Sequence, residues 1–290
     1  MSIVMLAEAW KKWDGIVEPF VFDCIEKVFG EDIREYPSYA LRQQPKVIQS
    51  PTLVVTMSLV YTTFVCFSKL LVKQKKKGSS DPAYLKNLIN FHNLFLILLS
   101  GYMSSGIVYH TLYSRSYKVW GQAYNEKETE LAQLILIFTL SKLYEYLDTV
   151  IMVLKRNMYQ VTFLHCYHHV SVSFFWWMAY YIMPGGEGWL GAALNSFVHV
   201  VMYSYYLLAS LSSNNPNFRK KYLWWGKYLT TFQMLQFVEN GLHCMYMLYF
   251  KTYSEVMAKF GVYYMVTLLA LFGNFYIQKY IAGGSKKKTT

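Results

Sequence analysis

The stretch Gln160–Tyr181, QVTFLHCYHHVSVSFFWWMAYY, carries three histidines at the head of an apolar, aromatic run. The run is long enough to cross a bilayer as a single helix. At about 100° per helical residue, His165, His168 and His169 fall on one face. Ionisable groups inside a membrane segment are costly, and those that occur usually face the protein interior and serve function. We therefore predict a functional site here, and the alternative is three structural imidazoles that bond neighbouring helices.

The composition is typical of a polytopic membrane protein. Of the 290 residues, 54% are hydrophobic, 19% are aromatic and only 16% are charged, which is too apolar for one soluble domain. The formal net charge of +11 does not indicate nucleic acid, because the basic residues cluster between apolar runs, as in membrane loops. The four cysteines are scattered without a CxxC pair, so they predict neither a disulfide framework nor a zinc site.

Seven apolar runs have the length needed to span a bilayer. Residues 1–50 mix aromatic and charged side chains, which predicts an interfacial helix or a loosely held lid and no cleavable signal peptide. Residues 51–280 form the predicted membrane domain, and residues 281–290 form a lysine-rich tail. The fold prediction is an all-α polytopic membrane protein with seven transmembrane helices. They lie near residues 52–72, 88–112, 131–154, 162–182, 189–211, 222–249 and 257–279.

The distribution of lysine and arginine predicts the orientation. These residues are concentrated after spans one, three, five and seven, which places those segments in the cytosol, the amino terminus in the lumen and the carboxyl terminus in the cytosol. Lys287 and Lys288 precede the last two residues, and this ending resembles a retrieval signal of endoplasmic-reticulum membrane proteins. Plain positive-inside charge explains the tail equally well.

Polar residues recur at a similar predicted depth in four spans. In span three, Lys142, Glu145 and Thr149 share a face, with Asp148 beside them. Spans five and six add Asn195, His199, Met202, Tyr203, Tyr206, Gln233, Gln236 and Asn240. Together with the histidines, they predict a polar chamber that opens to the cytosol and suits an amphiphile with a long alkyl tail. The alternative is a bundle joined by scattered interhelical hydrogen bonds.

Four segments match the motifs of one family. They are Lys142–Thr149 (KLYEYLDT, for KxxExxDT), His165–His169 (HCYHH, for HxxHH), Asn195–Tyr206 (NSFVHVVMYSYY, for NxxxHxxMYxYY) and Thr230–Gln236 (TTFQMLQ, for TxxQxxQ). The chain therefore resembles the ELO family of very-long-chain fatty acid elongases, the membrane 3-ketoacyl-CoA synthases. Gln160, which lies five residues before the first histidine, resembles the subgroup that acts on polyunsaturated chains.

The resemblance implies a fold and a reaction. Spans two to seven would form a six-helix barrel around a narrow substrate tunnel, with span one outside it. The enzyme would condense a long-chain acyl-CoA with malonyl-CoA, releasing CO2 and CoA and leaving a 3-ketoacyl-CoA two carbons longer. No cofactor or metal is expected beyond these substrates. Expected partners are membrane lipid, the reductase and dehydratase of the elongation cycle and a second copy of the chain, but no nucleic acid.

The resemblance also implies roles for the polar residues. His168 is the expected nucleophile, since a neutral imidazole forms a reactive acyl-imidazole, and His199 is expected to face it. His165 and His169 would orient and tune the imidazoles. Developing oxygen charge needs hydrogen-bond donors, which Asn195, His199 or Gln233 would supply. The substrate-binding set comprises Lys142, Glu145, Asp148, Tyr203, Tyr206, Gln233 and Gln236, with Arg219, Lys220, Lys221 and Lys279 for the CoA phosphates.

Two of these roles have structural alternatives. Lys142 could pair with Glu145 and Asp148 to keep the wall of the chamber in register. The four basic residues expected to hold CoA phosphates could simply be positive-inside charge.

Two rival functions and one rival mechanism for the condensation also follow from the sequence. A di-iron desaturase or hydroxylase would use many histidine ligands, but the chain has seven histidines in all. A seven-span receptor or transporter does not predict HxxHH beside KxxExxDT. Finally, Cys166 could replace histidine as the nucleophile, although helical geometry turns it from His168 by about 160°.

Overall fold

A computed structural model describes residues 3–30, 32–76 and 81–282, and within them all regular structure is helical. The α-helices are α1 (Ile3–Phe29), α2 (Tyr39–Arg42), α3 (Lys46–Gln49), α4 (Thr52–Leu71), α5 (Ala83–Val108), α6 (Thr129–Tyr144), α7 (Leu147–Leu154), α8 (Phe163–Ile182), α9 (Gly188–Leu211), α10 (Pro216–Tyr222), α11 (Leu229–Phe250) and α12 (Glu255–Tyr276). One π-helical turn, Tyr109–Tyr113, follows α5, and another, Ile277–Ala282, follows α12. Short 3-10 turns occupy Ile33–Glu35, Met158–Gln160 and Trp224–Tyr228.

Helix occupies each of the seven predicted spans. In the described part of the chain, four helical stretches are long and apolar enough to cross a membrane, namely Thr52–Leu71, Ala83–Tyr113, Gly188–Leu211 and Glu255–Ala282. The other three predicted spans correspond to α6 with α7, to α8 and to α11. The prediction of an all-helical membrane protein is therefore confirmed for these residues, and the seven-span barrel stays a prediction. The predicted retrieval signal at Lys287 and Lys288 lies outside the described residues.

Span three differs from the prediction, because it is two helices instead of one. Helix α6 ends at Tyr144 and α7 begins at Leu147. Across the junction, the amides of Asp148 and Thr149 bond to carbonyls three residues back, as in a 3-10 turn. Lys142 and Glu145 lie just before this turn, where the Glu145 amide still bonds to the Ser141 carbonyl, and residues three apart are neighbours on one face of a helix.

The described helices form two compact units. The first comprises the chain up to Gln74 together with Ala123–Gly188, and therefore holds α1–α4 and α6–α8. In this unit α1 packs along α4, and the Trp13 indole nitrogen donates to Thr56 Oγ1 over 2.8 Å. Phe22 of α1 is buried against Trp177 and Tyr181 of α8. The amino-terminal segment is thus a packed helix and not a loosely held lid.

The second unit comprises Lys75–Gln122 and the chain from Trp189 onward, and it holds α5 and α9–α12. Helices α11 and α12 pack side by side, with Cys244, Met247 and Ala258 buried between them. Helix α5 contacts α9 through Ser104, whose hydroxyl donates to the Ala193 carbonyl over 3.2 Å. The predicted polar residues of α9 and α11 lie within this packed unit.

Candidate functional site

A buried ion pair lies at the junction of α6 and α7. Lys142 and Glu145 are 1% and 2% exposed, and Lys142 Nζ lies 2.8 Å from Glu145 Oε1. The ammonium also lies 4.2 Å from the centre of the Phe138 ring, a distance at which cation–π attraction operates. Asp148 interacts electrostatically with Lys142. A cation buried this deeply is retained only with such partners, and this geometry fits the alternative in which Lys142 keeps the helices in register.

Thr149 connects this junction to the histidine helix. Its side chain is fully buried, and Oγ1 lies 2.7 Å from His165 Nε2. The same oxygen lies 2.9 Å from the Tyr61 hydroxyl of α4. Asp148, the residue before Thr149, interacts electrostatically with His165. Helices α4, α7 and α8 therefore meet at one hydroxyl group.

The three histidines occupy the first two turns of α8. Thr162 caps this helix by accepting a hydrogen bond from the His165 amide over 3.2 Å. The His165 and His169 rings are 4.4 Å apart and edge-on, and His169 meets His168 edge-on at 5.5 Å. His169 is buried, whereas His165 and His168 are partly exposed. The structure thus brings the predicted histidine face together as one group of touching imidazoles.

An apolar cluster supports these rings. Its buried members are Tyr61, Val65, Tyr146, Val153 and Val161, and Cys166 packs against them. Tyr61 stacks on Tyr146 at 4.4 Å, and both rings lie 6.2 Å from His169. The Tyr146 hydroxyl lies 3.0 Å from Ser58 Oγ of α4. Cys166 therefore belongs to the supporting cluster, with its thiol among apolar and phenolic side chains.

In the second unit, the polar residues of α9 contact aromatic rings. Asn195, His199 and Tyr203 are buried, and Tyr203 meets His199 edge-on at 5.6 Å. Tyr203 also meets His92 of α5 edge-on at 6.4 Å. On α11, Gln236 is buried and Gln233 Nε2 lies 3.5 Å from Met202 Sδ. Within this unit, the predicted residues of α9 and α11 thus lie in or beside the packed interior.

The remaining predicted binding residues are open to the surface. Tyr206 is 44% exposed and contacts Tyr203 at 6.0 Å. The four basic residues predicted to hold CoA phosphates are also exposed, namely Arg219, Lys220 and Lys221 on α10 and Lys279 after α12. Lys221 and Lys279 lie over tyrosine rings at 5.0 and 5.1 Å. Their exposure is compatible both with CoA phosphates and with plain positive-inside charge.

The sequence prediction missed three polar side chains: Tyr61 and His92 contact predicted residues, and Ser58 bonds to Tyr146 beside the histidines. Tyr61 and Ser58 lie on α4, and His92 on α5 is 4% exposed. A signal was present, because polar residues within apolar spans usually face the protein interior. All three lie outside the four motifs, so the motifs drew attention away from them.

Histidine, cysteine and carboxylate side chains are the groups that would hold a metal ion. In the described stretches, no group of three or more histidine, cysteine, aspartate or glutamate side chains is arranged to hold a metal ion. The di-iron alternative therefore gains no support from the described histidines.

Comparison with known proteins agrees with the motifs. The family model described as "ELO: GNS1/SUR4 family" matches residues 46–288. "Very long chain fatty acid elongase 5" of Homo sapiens is 35% identical over 241 residues, covering 78% of this chain and 76% of that protein. The mouse protein of the same name is 33% identical over 249 residues, covering 82% and 77%. "Fatty acid elongase 6" of Leishmania major is 39% identical over 238 residues, covering 79% of this chain and 60% of that protein. With these matches and its four motifs, the chain belongs to the ELO (GNS1/SUR4) family.

Proposed function

We propose that this chain condenses a long-chain acyl-CoA with malonyl-CoA in the fatty acid elongation cycle. The products are a 3-ketoacyl-CoA two carbons longer, CO2 and free CoA. The group of touching imidazoles at the start of α8, joined through Thr149 to α7, is the observation that carries the proposal. Relatives named as fatty acid elongases favour this reaction class.

His168 is the proposed nucleophile. Its ring nitrogen attacks the acyl-CoA thioester carbonyl, the C–S bond breaks, and CoA leaves with a proton as the thiol. The product is an acyl-imidazole, whose carbonyl remains reactive toward a carbon nucleophile. The His169 ring contacts both the His168 ring and the His165 ring. His165 and His169 orient the His168 nucleophile.

The second half-reaction forms the new carbon–carbon bond. Malonyl-CoA loses CO2, and the electron pair of the broken bond becomes an enolate that attacks the acyl carbon. The His168–acyl bond then breaks, and the departing imidazolate takes up one proton from solvent, which regenerates the neutral imidazole. We assign stabilisation of the developing oxygen charge to Asn195, His199 and Gln233, whose polar hydrogens can donate to it.

The other binding roles follow the chemistry of the substrates. Arg219, Lys220, Lys221 and Lys279 supply exposed positive charge for the CoA phosphates. Tyr203, Tyr206 and Gln236 are proposed to contact the acyl substrate. The buried pair of Lys142 and Glu145, with Asp148, acts by holding the histidine helix in place.

We further propose an endoplasmic-reticulum membrane location, with the amino terminus in the lumen. In this setting the reductase and dehydratase of the cycle would act on the product, and a second copy of the chain is a possible neighbour. The preference for polyunsaturated chains rests on Gln160. It is tested by offering the purified enzyme matched saturated and unsaturated acyl-CoAs of equal length, and equal rates would contradict it.

The central test measures CO2 released from labelled malonyl-CoA by the purified protein. Release should depend on added acyl-CoA. Incubation with acyl-CoA alone should add the acyl mass to the intact protein, and hydroxylamine should remove it. His168→Ala should lose both the release and the adduct. Cys166→Ala is the matched control in the same helix, and it should keep most of both.

Other results would separate the alternatives. An adduct that survives His168→Ala and disappears in Cys166→Ala would move the nucleophile to the cysteine. Iron that copurifies in stoichiometric amount, with no acyl-CoA-dependent CO2 release, would favour a desaturase or hydroxylase.

A further inference from the structure

Tyr61 lies on α4, the first membrane helix, which carries none of the four family motifs. Its side chain is 4% exposed and sits in the apolar cluster beneath the histidines. A phenylalanine would fill that space equally well. A hydroxyl group buried among apolar side chains is costly unless it is hydrogen-bonded, so the place where its bond goes is informative.

The Tyr61 hydroxyl bonds to the site itself. It lies 2.9 Å from Thr149 Oγ1, and that oxygen lies 2.7 Å from His165 Nε2. The three groups come from α4, α7 and α8. They form a continuous chain of hydrogen bonds that ends on a ring nitrogen of the first motif histidine.

The chain has a preferred direction. Either hydroxyl group of the Tyr61–Thr149 pair is able to donate, and the Cys166 thiol is a second partner of the Tyr61 hydroxyl. A phenol is the more acidic of the two hydroxyl groups, which favours donation from Tyr61 to Thr149 and directs the single hydroxyl hydrogen of Thr149 to His165 Nε2. Nε2 is then the acceptor, and a neutral His165 must carry its hydrogen on Nδ1. The His165 ring contacts His169 at 4.4 Å, and His169 contacts His168 at 5.5 Å. These contacts link the position of the His165 ring to the positions of the His169 and His168 rings.

We propose that Tyr61 is a positioning residue of the histidine site, which acts through Thr149 to hold His165 as the Nδ1–H tautomer. This inference rests on the proposed condensation reaction. It gives the first membrane helix a part in that reaction beyond packing.

The test removes each hydroxyl group without changing side-chain volume much. Tyr61→Phe should lower kcat for condensation about five- to tenfold, the loss expected for one neutral hydrogen bond, while KM for acyl-CoA stays unchanged. Thr149→Val should lower kcat at least as much, and Thr149→Ser should restore most of it. Because Tyr61 acts through Thr149, the double variant Tyr61→Phe/Thr149→Val should be no slower than Thr149→Val alone.

Tyr146→Phe is the matched control. Its hydroxyl bonds to Ser58 of α4 and to Ser173 of α8, and its ring stacks on Tyr61, but neither bond passes through Thr149. We expect nearly unchanged kcat in this variant. An equal fall in kcat for Tyr146→Phe and Tyr61→Phe, or multiplicative losses in the double variant, would overturn the proposal in favour of general helix packing.

The wild-type reaction separates the two levels of inference. If the wild-type protein catalyses condensation and the Tyr61→Phe and Thr149→Val variants have the same kcat, only the positioning role is refuted. Absence of condensation in the wild-type protein would refute the proposed function, and the positioning role with it. Should Tyr61→Phe fold poorly, Thr149→Val still tests the bond through which Tyr61 is proposed to act, and an unchanged kcat in that variant would overturn the proposal.

Discussion

In α6–α8 an ion pair and a hydroxyl group join the predicted site residues in addition to ring edges, whereas the contacts of Tyr203 with α5 and with its own helix α9 are between ring edges. The first region contains the Lys142–Glu145 ion pair and the bond from Thr149 to His165. In the second region, Tyr203 lies edge-on to His92 and to His199. Hydrogen bonds and ion pairs depend on direction and on both partners, while ring-edge contacts depend more on shape and volume.

This difference predicts two kinds of sensitivity. In the first region, the free energy of unfolding should fall strongly when one partner of a polar pair is removed, even if the side-chain volume is kept. The second should tolerate loss of a polar atom but not loss of volume. Precise orientation is what a nucleophile requires, and this makes the first region the better candidate for covalent chemistry.

The largest effect is expected from Lys142→Met, which leaves Glu145 buried without its ammonium partner. The free energy of unfolding should fall by about 3–5 kcal/mol, the usual cost of breaking a buried pair from one side. Lys142→Met/Glu145→Met should regain much of that loss, since an apolar pair of similar volume avoids the uncompensated charge. Denaturant unfolding in detergent micelles measures the stability of both variants. A Lys142→Met variant as stable as Lys142→Met/Glu145→Met would contradict the special sensitivity of the first region.

Tyr203→Ala tests the dependence of the second region on volume. Tyr203 is 0% exposed, and truncation of a buried aromatic side chain costs about 3–5 kcal/mol. Tyr203→Phe should cost about 1 kcal/mol. Tyr206→Ala, at the 44% exposed neighbour, is the matched control and should cost less than about 1 kcal/mol. If both alanine variants lost the same stability, packing would not distinguish these positions.

Gly226→Ala tests shape in the opposite sense, by adding one carbon. A Cβ at Gly226 would lie 2.3 Å from the Tyr205 hydroxyl oxygen, so the Tyr205 ring, which packs on Trp225 at 5.0 Å, must move. Overpacking of this kind costs about 1–3 kcal/mol. At Gly241 the new carbon would lie 3.4 Å from Met265 Cβ, close to ordinary contact, so Gly241→Ala should leave stability nearly unchanged. Thermal unfolding of the two variants side by side decides the point.

The smallest effect is expected at Arg34, an exposed counterpart to the buried pair. Its guanidinium bonds to Asp32, Asp23 and Glu26. The hydrogen bond from Arg34 lowers the pKa of Asp32 below its usual 3.8. The stabilisation that Asp32 gains from Arg34 is therefore fully present above pH 3.8. It is lost as the pH falls through the lowered pKa of folded Asp32. Arg34→Gln should reduce Tm by about 1 °C at pH 7, and by nothing near pH 2. A difference that persists at pH 2 would mean that packing, not charge, is responsible.

Much of the architecture could be predicted from local pattern. Predicted spans such as 52–72 and 162–182 agree closely with α4 and α8, because a bilayer demands apolar runs of fixed length. The histidine face was also predictable, since residues three and four apart share a side of a helix. The break between α6 and α7 was not. The break consists of local 3-10 bonding at Asp148 and Thr149, which does not change the apolar period of the segment.

The sequence by itself determined the helical class, the approximate spans, the family and the group of histidines on α8. Each of these follows from composition, period or motif spacing, which are properties of residues near one another in the chain. The tertiary structure alone decided that Tyr61, separated from Thr149 by 88 positions, bonds to the hydroxyl that holds His165. It also decided that His92 packs against Tyr203. Such contacts depend on how helices distant in sequence pack together, and no local pattern encodes which polar atoms then lie within bonding distance.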